Sequence, residues 1–302
     1  MKILVTSAWR ATPEEFRRLR EMGHQIFFQQ QENTALKCPA EEVEAVICNA
    51  LFLSHPIEQF SHLRYIQLTS AGFDRVPQEY IHTHGMEIHN ARGVYSIPMA
   101  EHALAGVLAL YRHLNEFRSF QHQAKWEKLR NLEELFGRDI LIVGCGSVGT
   151  ETAHRFAAFG CRVTGIDLVS RREVSPFQEI LTLEHLDQKL PQTDILILTV
   201  PLTEDTHRLL DARRLSMLAA GAVVVNISRG GVVDQEALTG ELISGRLRAV
   251  LDVFEEEPLA GDNPLWQLEN VLLTPHNSFV GNGNATRLSE LIFHNLRHFN
   301  AL

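Results

Sequence analysis

Arg229, Glu257 and His276 are suited to chemistry by type and by placement, because each stands just beyond a short run of apolar, β-branched sequence. Arg229 follows residues 223–227 in NISRGG, Glu257 follows 249–253 in DVFEEEP, and His276 follows 271–274 in TPHNSF. Such runs read as buried parallel strands, whose carboxyl ends converge in one sheet and are where ligands lie. A guanidinium there can pair with a carboxylate in fork geometry and polarise the adjacent carbonyl. An imidazole, with an unperturbed pKa of about 6.5, can give a proton to that carbonyl oxygen as hydride reaches its carbon. A carboxylate beside the ring raises its pKa and orients it. In the reverse direction the neutral ring takes a hydroxyl proton as hydride leaves. Singly, each residue has a plainer reading: Arg229 as a turn cap, Glu257 as part of the solvated run Glu255-Glu256-Glu257, and His276 as one of 15 histidines. Their common placement at strand ends, beside a dinucleotide motif, makes them a set.

That motif is the stretch 139–167, DILIVGCGSVGTETAHRFAAFGCRVTGID. Residues 140–143 read as a strand that runs into Gly144-Cys145-Gly146-Ser147-Val148-Gly149, a G-x-G-x-x-G. Gly144 allows the tight turn, Gly146 lets the backbone approach a pyrophosphate, and Gly149 lets helix and strand pack closely. A helix over 150–159, ended by Gly160, turns its unpaired N–H groups and positive dipole end to the phosphates. A strand over 162–166 then delivers Asp167, whose carboxylate can accept from both adenosine ribose hydroxyls and would repel a 2′-phosphate. This favours NAD over NADP. Arg171 and Arg172 follow closely, either as a solvated loop or as partners for a phosphate. Cys145, inside the glycine loop, reads as a small space-filling residue.

These residues need a parallel scaffold, and the pattern provides one. Residues 2–6, 24–28, 45–48, 65–69 and 86–90 read as strands of a first α/β domain, with helices over 13–22 and 56–60. Ser70-Ala71-Gly72 follows the fourth strand; its backbone N–H groups can hold an anion, and a plain turn reads equally well from this segment alone. A long helix over 98–117 carries apolar groups on more than one side, the mark of burial between domains or subunits. The polar stretch 118–131, with Trp126, reads as a linker or arm. Beyond Asp167, helices over 183–190, 211–218 and 235–244 alternate with strands over 194–200, 222–227, 249–253 and 271–274, for a doubly wound sheet of about six strands. A final helix over 284–299 comes after that sheet is complete and is placed to return to the first domain.

Composition sets bounds. A chain of 302 residues, 45% hydrophobic and 22% charged, is long enough for two domains. The net charge of −9 argues against a general nucleic-acid surface. No apolar run reaches membrane-spanning length, and the N-terminus lacks a signal-peptide core. Cys38, Cys48, Cys145 and Cys161 form no C-x-x-C pair, which fits reduced thiols in a cytoplasmic protein. No metal is expected.

The motifs VGCGSVG with Asp167, VPLTEDTHRLLD, MLAAGAVVVNISRGGVVDQEAL, LDVFEEEPL, NPLW and NVLLTPHNS cover most of 139–278. Through them the chain resembles the D-isomer-specific 2-hydroxyacid dehydrogenases, the family that includes D-lactate, glycerate, hydroxyisocaproate and phosphoglycerate dehydrogenases. TSAGFDRVP and NARGVYSIPMAEHAL extend the match more weakly into the first domain. The resemblance implies a reductase of 2-keto acids to D-2-hydroxy acids, with Arg229 binding substrate, Glu257 as the carboxylate partner and His276 as the acid/base. Ala71 and Gly72 would offer N–H groups to the substrate carboxylate. Ser147, Val148, Asp167, Val200, Pro201, Ile227, Ser228 and Asp252 map onto positions that contact NAD. The implied architecture is a doubly wound Rossmann domain, residues 99–279, inserted into a smaller flavodoxin-like substrate domain, residues 1–98 plus 280–302. A homodimer built on the helix over 98–117 and the arm after it is implied too.

Departures from the family pattern carry expectations of their own. Ending at Leu302, the chain is expected to lack the regulatory extension of the longer phosphoglycerate enzymes. Formate dehydrogenases of the superfamily place glutamine beside the histidine, so Glu257 argues against that activity. Asn277-Ser278-Phe279 differs from the usual continuation after the histidine and is expected to reshape the pocket. Ala50, Leu51, Phe52 and Leu53 point to a small or apolar substrate side chain. Two alternatives stay open: an NAD(H)-sensing corepressor-like protein, and a dehydrogenase of phosphite or of a phosphorylated hydroxy acid, for which Arg75 and Arg92 offer positive charge.

Overall fold

Each apolar run in the first third of the chain becomes a strand of one parallel sheet. The computed structural model describes residues 1–172 and 174–299. Glu173 and residues 300–302, which the sequence reading assigns to the two domains, lie outside the described residues. Strands β1 (Lys2–Thr6), β2 (Gln25–Gln29), β3 (Ala45–Cys48), β4 (Tyr65–Leu68) and β5 (Glu87–His89) pair in the order β2-β1-β3-β4-β5, all parallel. This is the flavodoxin-like order. Successive side chains of a strand face opposite sides of the sheet. Thus Ile3, Val5, Ala45, Ile47 and Tyr65 join one core, while Leu4, Val46, Cys48, Ile66 and Leu68 join the other. The C-terminal helix Asn284–Phe299 closes the first of these cores with Ile292, Phe293 and Leu296. There the buried Trp9 indole N–H donates to Ser289 Oγ at 2.9 Å, and the Phe293 ring meets it edge-on at 5.8 Å. The helix Pro13–Glu21 starts as its sequence demands, with Thr12 and Glu15 forming a reciprocal capping box.

The chain divides into two units, Met1–Tyr95 with Gly281–Leu302, and Ser96–Val280. The second is built on β6 (Asp139–Val143), β7 (Arg162–Ile166), β8 (Arg171–Arg172), β9 (Glu179–Leu181), β10 (Ile195–Leu198), β11 (Val223–Asn226), β12 (Arg248–Leu251) and β13 (Val271–Leu273). They form one sheet in the order β13-β12-β11-β10-β6-β7-β9-β8, parallel except for β8, which runs antiparallel to β9. Read from β9, the order is that of a dinucleotide-binding sheet with one further strand, and it reverses direction between β6 and β10. At that switch Ile195 pairs with Ile140 and Leu198 with Val143. Leu141, Val143, Leu196, Leu198 and Val224 pack on one face; Ile140, Ile142, Ile195, Ile197 and Val225 pack on the other. The helix Ser96–Tyr111 covers the second face through Ala103, Val107, Leu110 and Tyr111. Its close approach requires Gly106, where a Cβ would stand 2.5 Å from Val250 Cγ1.

Three expectations need correction. The sheet has eight strands rather than about six, because β9 and β8 are three and two residues long, too short to show an apolar run. The helix expected over 98–117 is two, Ser96–Tyr111 and Leu114–His122. His113 breaks it by taking the left-handed conformation at φ 51°, and the second helix occupies part of the stretch read as a linker. The helix expected over 183–190 is a 3-10 turn Leu183–His185, a four-residue helix Leu186–Lys189 and a second 3-10 turn Leu190–Gln192. Pro191, lacking an N–H, cannot continue the i→i−4 ladder there. Among the described residues no helix is long and apolar enough to cross a membrane.

Candidate active site

The glycine loop is the turn that β6 makes at the switch point. Gly144 has φ +98°, and a Cβ on it would lie 2.9 Å from the Thr199 carbonyl carbon and from Val200 Cγ1. Thr199, just past β10, donates from Oγ1 to Gly144 O at 2.6 Å and ties the two strand ends together. Gly149 is held by contact: a Cβ there would stand 2.0 Å from Gly144 O. Gly146 differs, since nothing lies within 4 Å of its Cβ position. It caps the helix Ser147–Ala158 with no side-chain hydrogen bond, so the first N–H groups, which lack intrahelical acceptors, are left to an anion. Ser147 Oγ shares a short hydrogen bond with Ser96 Oγ. Asp167 follows β7, and its carboxylate accepts the Cys145 N–H at 3.1 Å and the Leu168 N–H at 2.8 Å, which seats it beside the loop. An open glycine, a bare helix terminus and a seated carboxylate together fit the pyrophosphate and ribose of a dinucleotide. Cys145 fills space: it is buried, burial pushes its thiol up to about 12, and its Sγ would lie 2.3 Å from a Cβ on Gly165.

Beyond β10, Val200 is half-buried against Gly144, and Pro201 is exposed. Beyond β11 the chain passes through buried Ile227 and Ser228 to Arg229. Asn226 latches this turn: its side chain accepts from Ser228 N–H at 3.1 Å and Ser228 Oγ at 2.8 Å, and donates to Arg229 O at 3.0 Å. Arg229 Nη1 donates to Ser228 O at 2.8 Å. Gly230 lets the turn press on the loop after β12, because a Cβ there would fall 1.9 Å from the Phe254 carbonyl carbon.

That neighbouring loop carries Glu257. Its Oε1 accepts the Phe254 N–H at 3.1 Å, and its Oε2 lies 2.8 Å from His276 Nδ1. His276 itself is left-handed, at φ 49°. Its N–H donates to Asp252 O at 2.7 Å, while the fully buried Asp252 carboxylate accepts the Asn277 N–H at 2.8 Å and the Ser278 N–H at 2.9 Å. Asp252 therefore holds the turn on which His276 stands. The Phe279 ring lies edge-on to the imidazole at 6.0 Å. Arg229, Glu257 and His276 line one cleft of about 570 Å³, with Leu202, Arg208 and Phe254. The His276 and Glu257 side chains are 39% and 37% exposed, so the ring faces the cleft rather than the core.

Ala71 and Gly72 belong to the other unit. They form the turn beyond the carboxyl end of β4, where Asn90 Nδ2 donates to Ala71 O at 2.6 Å and Ser70 Oγ to Gly72 O at 3.3 Å. Asn226 holds the Arg229 turn, and Thr274 Oγ1 bonds the Asp252 carboxylate under the His276 turn, without being singled out in the sequence. Asn226, at the last residue of its strand, carried the one available signal, a polar side chain ending an apolar run.

Comparison with known proteins bears on the same elements. Residues 104–278 match the family described as D-isomer specific 2-hydroxyacid dehydrogenase, NAD binding domain. A glyoxylate reductase of Korarchaeum cryptofilum is 33% identical over 267 residues, 83% of this chain and 80% of that protein. The crystal structure of a D-isomer specific 2-hydroxyacid dehydrogenase family protein from Aeromonas salmonicida superposes with a TM-score of 0.83 at 29% identity, covering 99% of this chain and 95% of that one. An NADPH-dependent glyoxylate/hydroxypyruvate reductase of Sinorhizobium meliloti gives 0.81 at 27%, covering 98% and 93%. The sheet order, the glycine loop and these likenesses agree, and the chain belongs to the D-isomer-specific 2-hydroxyacid dehydrogenase family of oxidoreductases.

Proposed function

We propose that this protein is an NAD-dependent reductase of small 2-keto acids, of the size of glyoxylate or hydroxypyruvate, yielding the 2-hydroxy acid in the D form where the product is chiral. The observation that carries the reading is the 2.8 Å contact of His276 Nδ1 with Glu257 Oε2, in the cleft that Arg229 also lines. Glu257 accepts from Nδ1–H and so directs Nε2 at the substrate. The charged ring donates its Nε2 proton to the C2 carbonyl oxygen, and the adjacent carboxylate stabilises the imidazolium until then. Arg229 pairs with the substrate carboxylate and polarises the carbonyl. In this reading the second unit holds the cofactor, and Ala71 and Gly72 would offer N–H groups to a substrate carboxylate. When bound, the cofactor supplies the hydride that the carbonyl carbon receives.

Gly144, Gly146, Ser147, Val148 and Gly149 would hold the pyrophosphate and Asp167 the ribose hydroxyls. Val200, Pro201, Ile227, Ser228, Arg229, Asp252 and His276 would border the nicotinamide half. The negative charge of Asp167 favours NAD, in contrast to the NADPH-dependent relative from Sinorhizobium meliloti. The four free cysteines fit the reducing cytoplasm, which we propose as the compartment, with a homodimer as the working form.

The test is NADH oxidation by purified protein with glyoxylate, hydroxypyruvate, pyruvate and phenylpyruvate, with NADPH in parallel and His276→Ala beside it. The smaller acids should be reduced faster, NADH used in preference to NADPH, and turnover in the variant should fall by about a hundredfold or more with NADH affinity kept. Silence on every acid, or full activity in His276→Ala, would overturn the reading.

A further inference from the structure

His102 stands on the helix Ser96–Tyr111, far from His276 in sequence, yet a continuous hydrogen-bond chain joins the two within one unit. His102 Nε2 lies 3.1 Å from Thr274 Oγ1. Thr274 Oγ1 lies 2.6 Å from Asp252 Oδ1, the same oxygen that accepts the Asn277 N–H at 2.8 Å. A threonine hydroxyl has one proton, and here it goes to the carboxylate, which has none to give. The lone pair of Thr274 then faces His102, so Nε2 must bear hydrogen and donate. Half-burial of the ring lowers its pKa against the opposing pull of Asp252 and so favours the neutral imidazole.

The chain ends on a turn that needs support. His276 holds a left-handed conformation, which is strained for a non-glycine residue. It persists because Asp252 O takes its own N–H and the Asp252 carboxylate takes the next two. The carboxylate is oriented in turn by Thr274, whose hydroxyl donates to it while its lone-pair side meets His102. We propose that His102 is a positioning residue for the reduction: by donating to Thr274 it locks the Thr274–Asp252 pair and thereby the turn that aims His276 at the substrate. The inference rests on the acid/base role proposed for His276. Misplacement of a reacting group by about 1 Å can cost a hundredfold in rate, so loss of this lock shows in kcat rather than in cofactor binding.

The decisive pair is His102→Gln against His102→Asn. The glutamine amide nitrogen reaches the place of Nε2 and can donate to Thr274; the shorter asparagine cannot. With NADH and glyoxylate, His102→Gln should keep kcat within about threefold of the parent, and His102→Asn should lose about tenfold or more. Thr274→Val should lose as much as His102→Asn, and NADH dissociation constants by fluorescence titration should stay within about twofold throughout. Equal kcat in the two His102 variants, or a loss confined to NADH affinity, would overturn the proposal. His276→Ala measured alongside separates the two readings. Full activity in it removes the acid/base role and the positioning role together, whereas an inactive His276→Ala beside an unimpaired His102→Asn removes the positioning role alone.

Discussion

Asp167 serves two purposes that a single substitution can separate. As an acceptor it binds the Cys145 and Leu168 N–H groups, which fixes the glycine loop against the end of β7. As a charge it would, in the function proposed, oppose a 2′-phosphate. Asp167→Asn keeps one acceptor oxygen and removes the charge. NADPH affinity should therefore rise by about tenfold, equivalent to about 1.4 kcal/mol, while NADH affinity weakens only a few-fold. Unchanged NADPH affinity in a direct titration would show that cofactor choice lies elsewhere, with Arg171 the next residue to test. At this scale the sequence was legible where a residue stands just beyond the end of its own strand. Arg229, Glu257 and His276 each follow an apolar run, and the structure sets them around one cleft. Thr274 and His102 were not legible, because their hydrogen bond joins residues 172 positions apart and neither type is unusual where it stands.

Among the elements, the β6–loop–helix unit has the least room for change. Gly149 lies in the first turn of the helix Ser147–Ala158, and its missing Cβ is what allows the helix to sit on Gly144 O. Alanine there would place a methyl 2.0 Å from that oxygen and 3.0 Å from Thr199 Oγ1, so backbone must move. Gly149→Ala should fold, since the sheet cores on both faces are untouched, and should lose about tenfold or more in NADH affinity, because the loop amides lose their alignment on the pyrophosphate. Retained NADH affinity with unchanged far-ultraviolet circular dichroism would mean that the helix relaxes at no expense to the loop. Elements of this kind were readable in sequence because strand, glycines, helix and acid occur in a fixed order. Those that were missed lacked local marks. Glu179–Leu181 is a strand because it pairs along β7 and Arg171–Arg172 because it pairs along β9, and His113 breaks a helix whose apolar pattern continues past it.

At the scale of the whole molecule the unanswered surface lies between the helix Leu114–His122 and β6. Trp126 is 97% exposed there, Phe136 79% and Leu114 51%. Single exposed apolar residues are ordinary, but three large ones within residues 114–136, one of them a fully exposed tryptophan, leave much apolar surface in water. The chain carries a net charge of −9, which by itself keeps copies apart. The proposed homodimer would bury this arm, since tryptophan is among the side chains that most often dominate an interface. Light scattering at micromolar concentration should then give twice the 34.2 kDa chain mass. Trp126→Ser should raise the dimer dissociation constant by about thirtyfold or more, equivalent to about 2 kcal/mol, without lowering the melting temperature extrapolated to the monomer. A chain that stays at 34.2 kDa across the concentration range, or a Trp126→Ser protein that dimerises as the parent does, would take the arm out of assembly. Its exposed aromatics would then have to answer to a different partner.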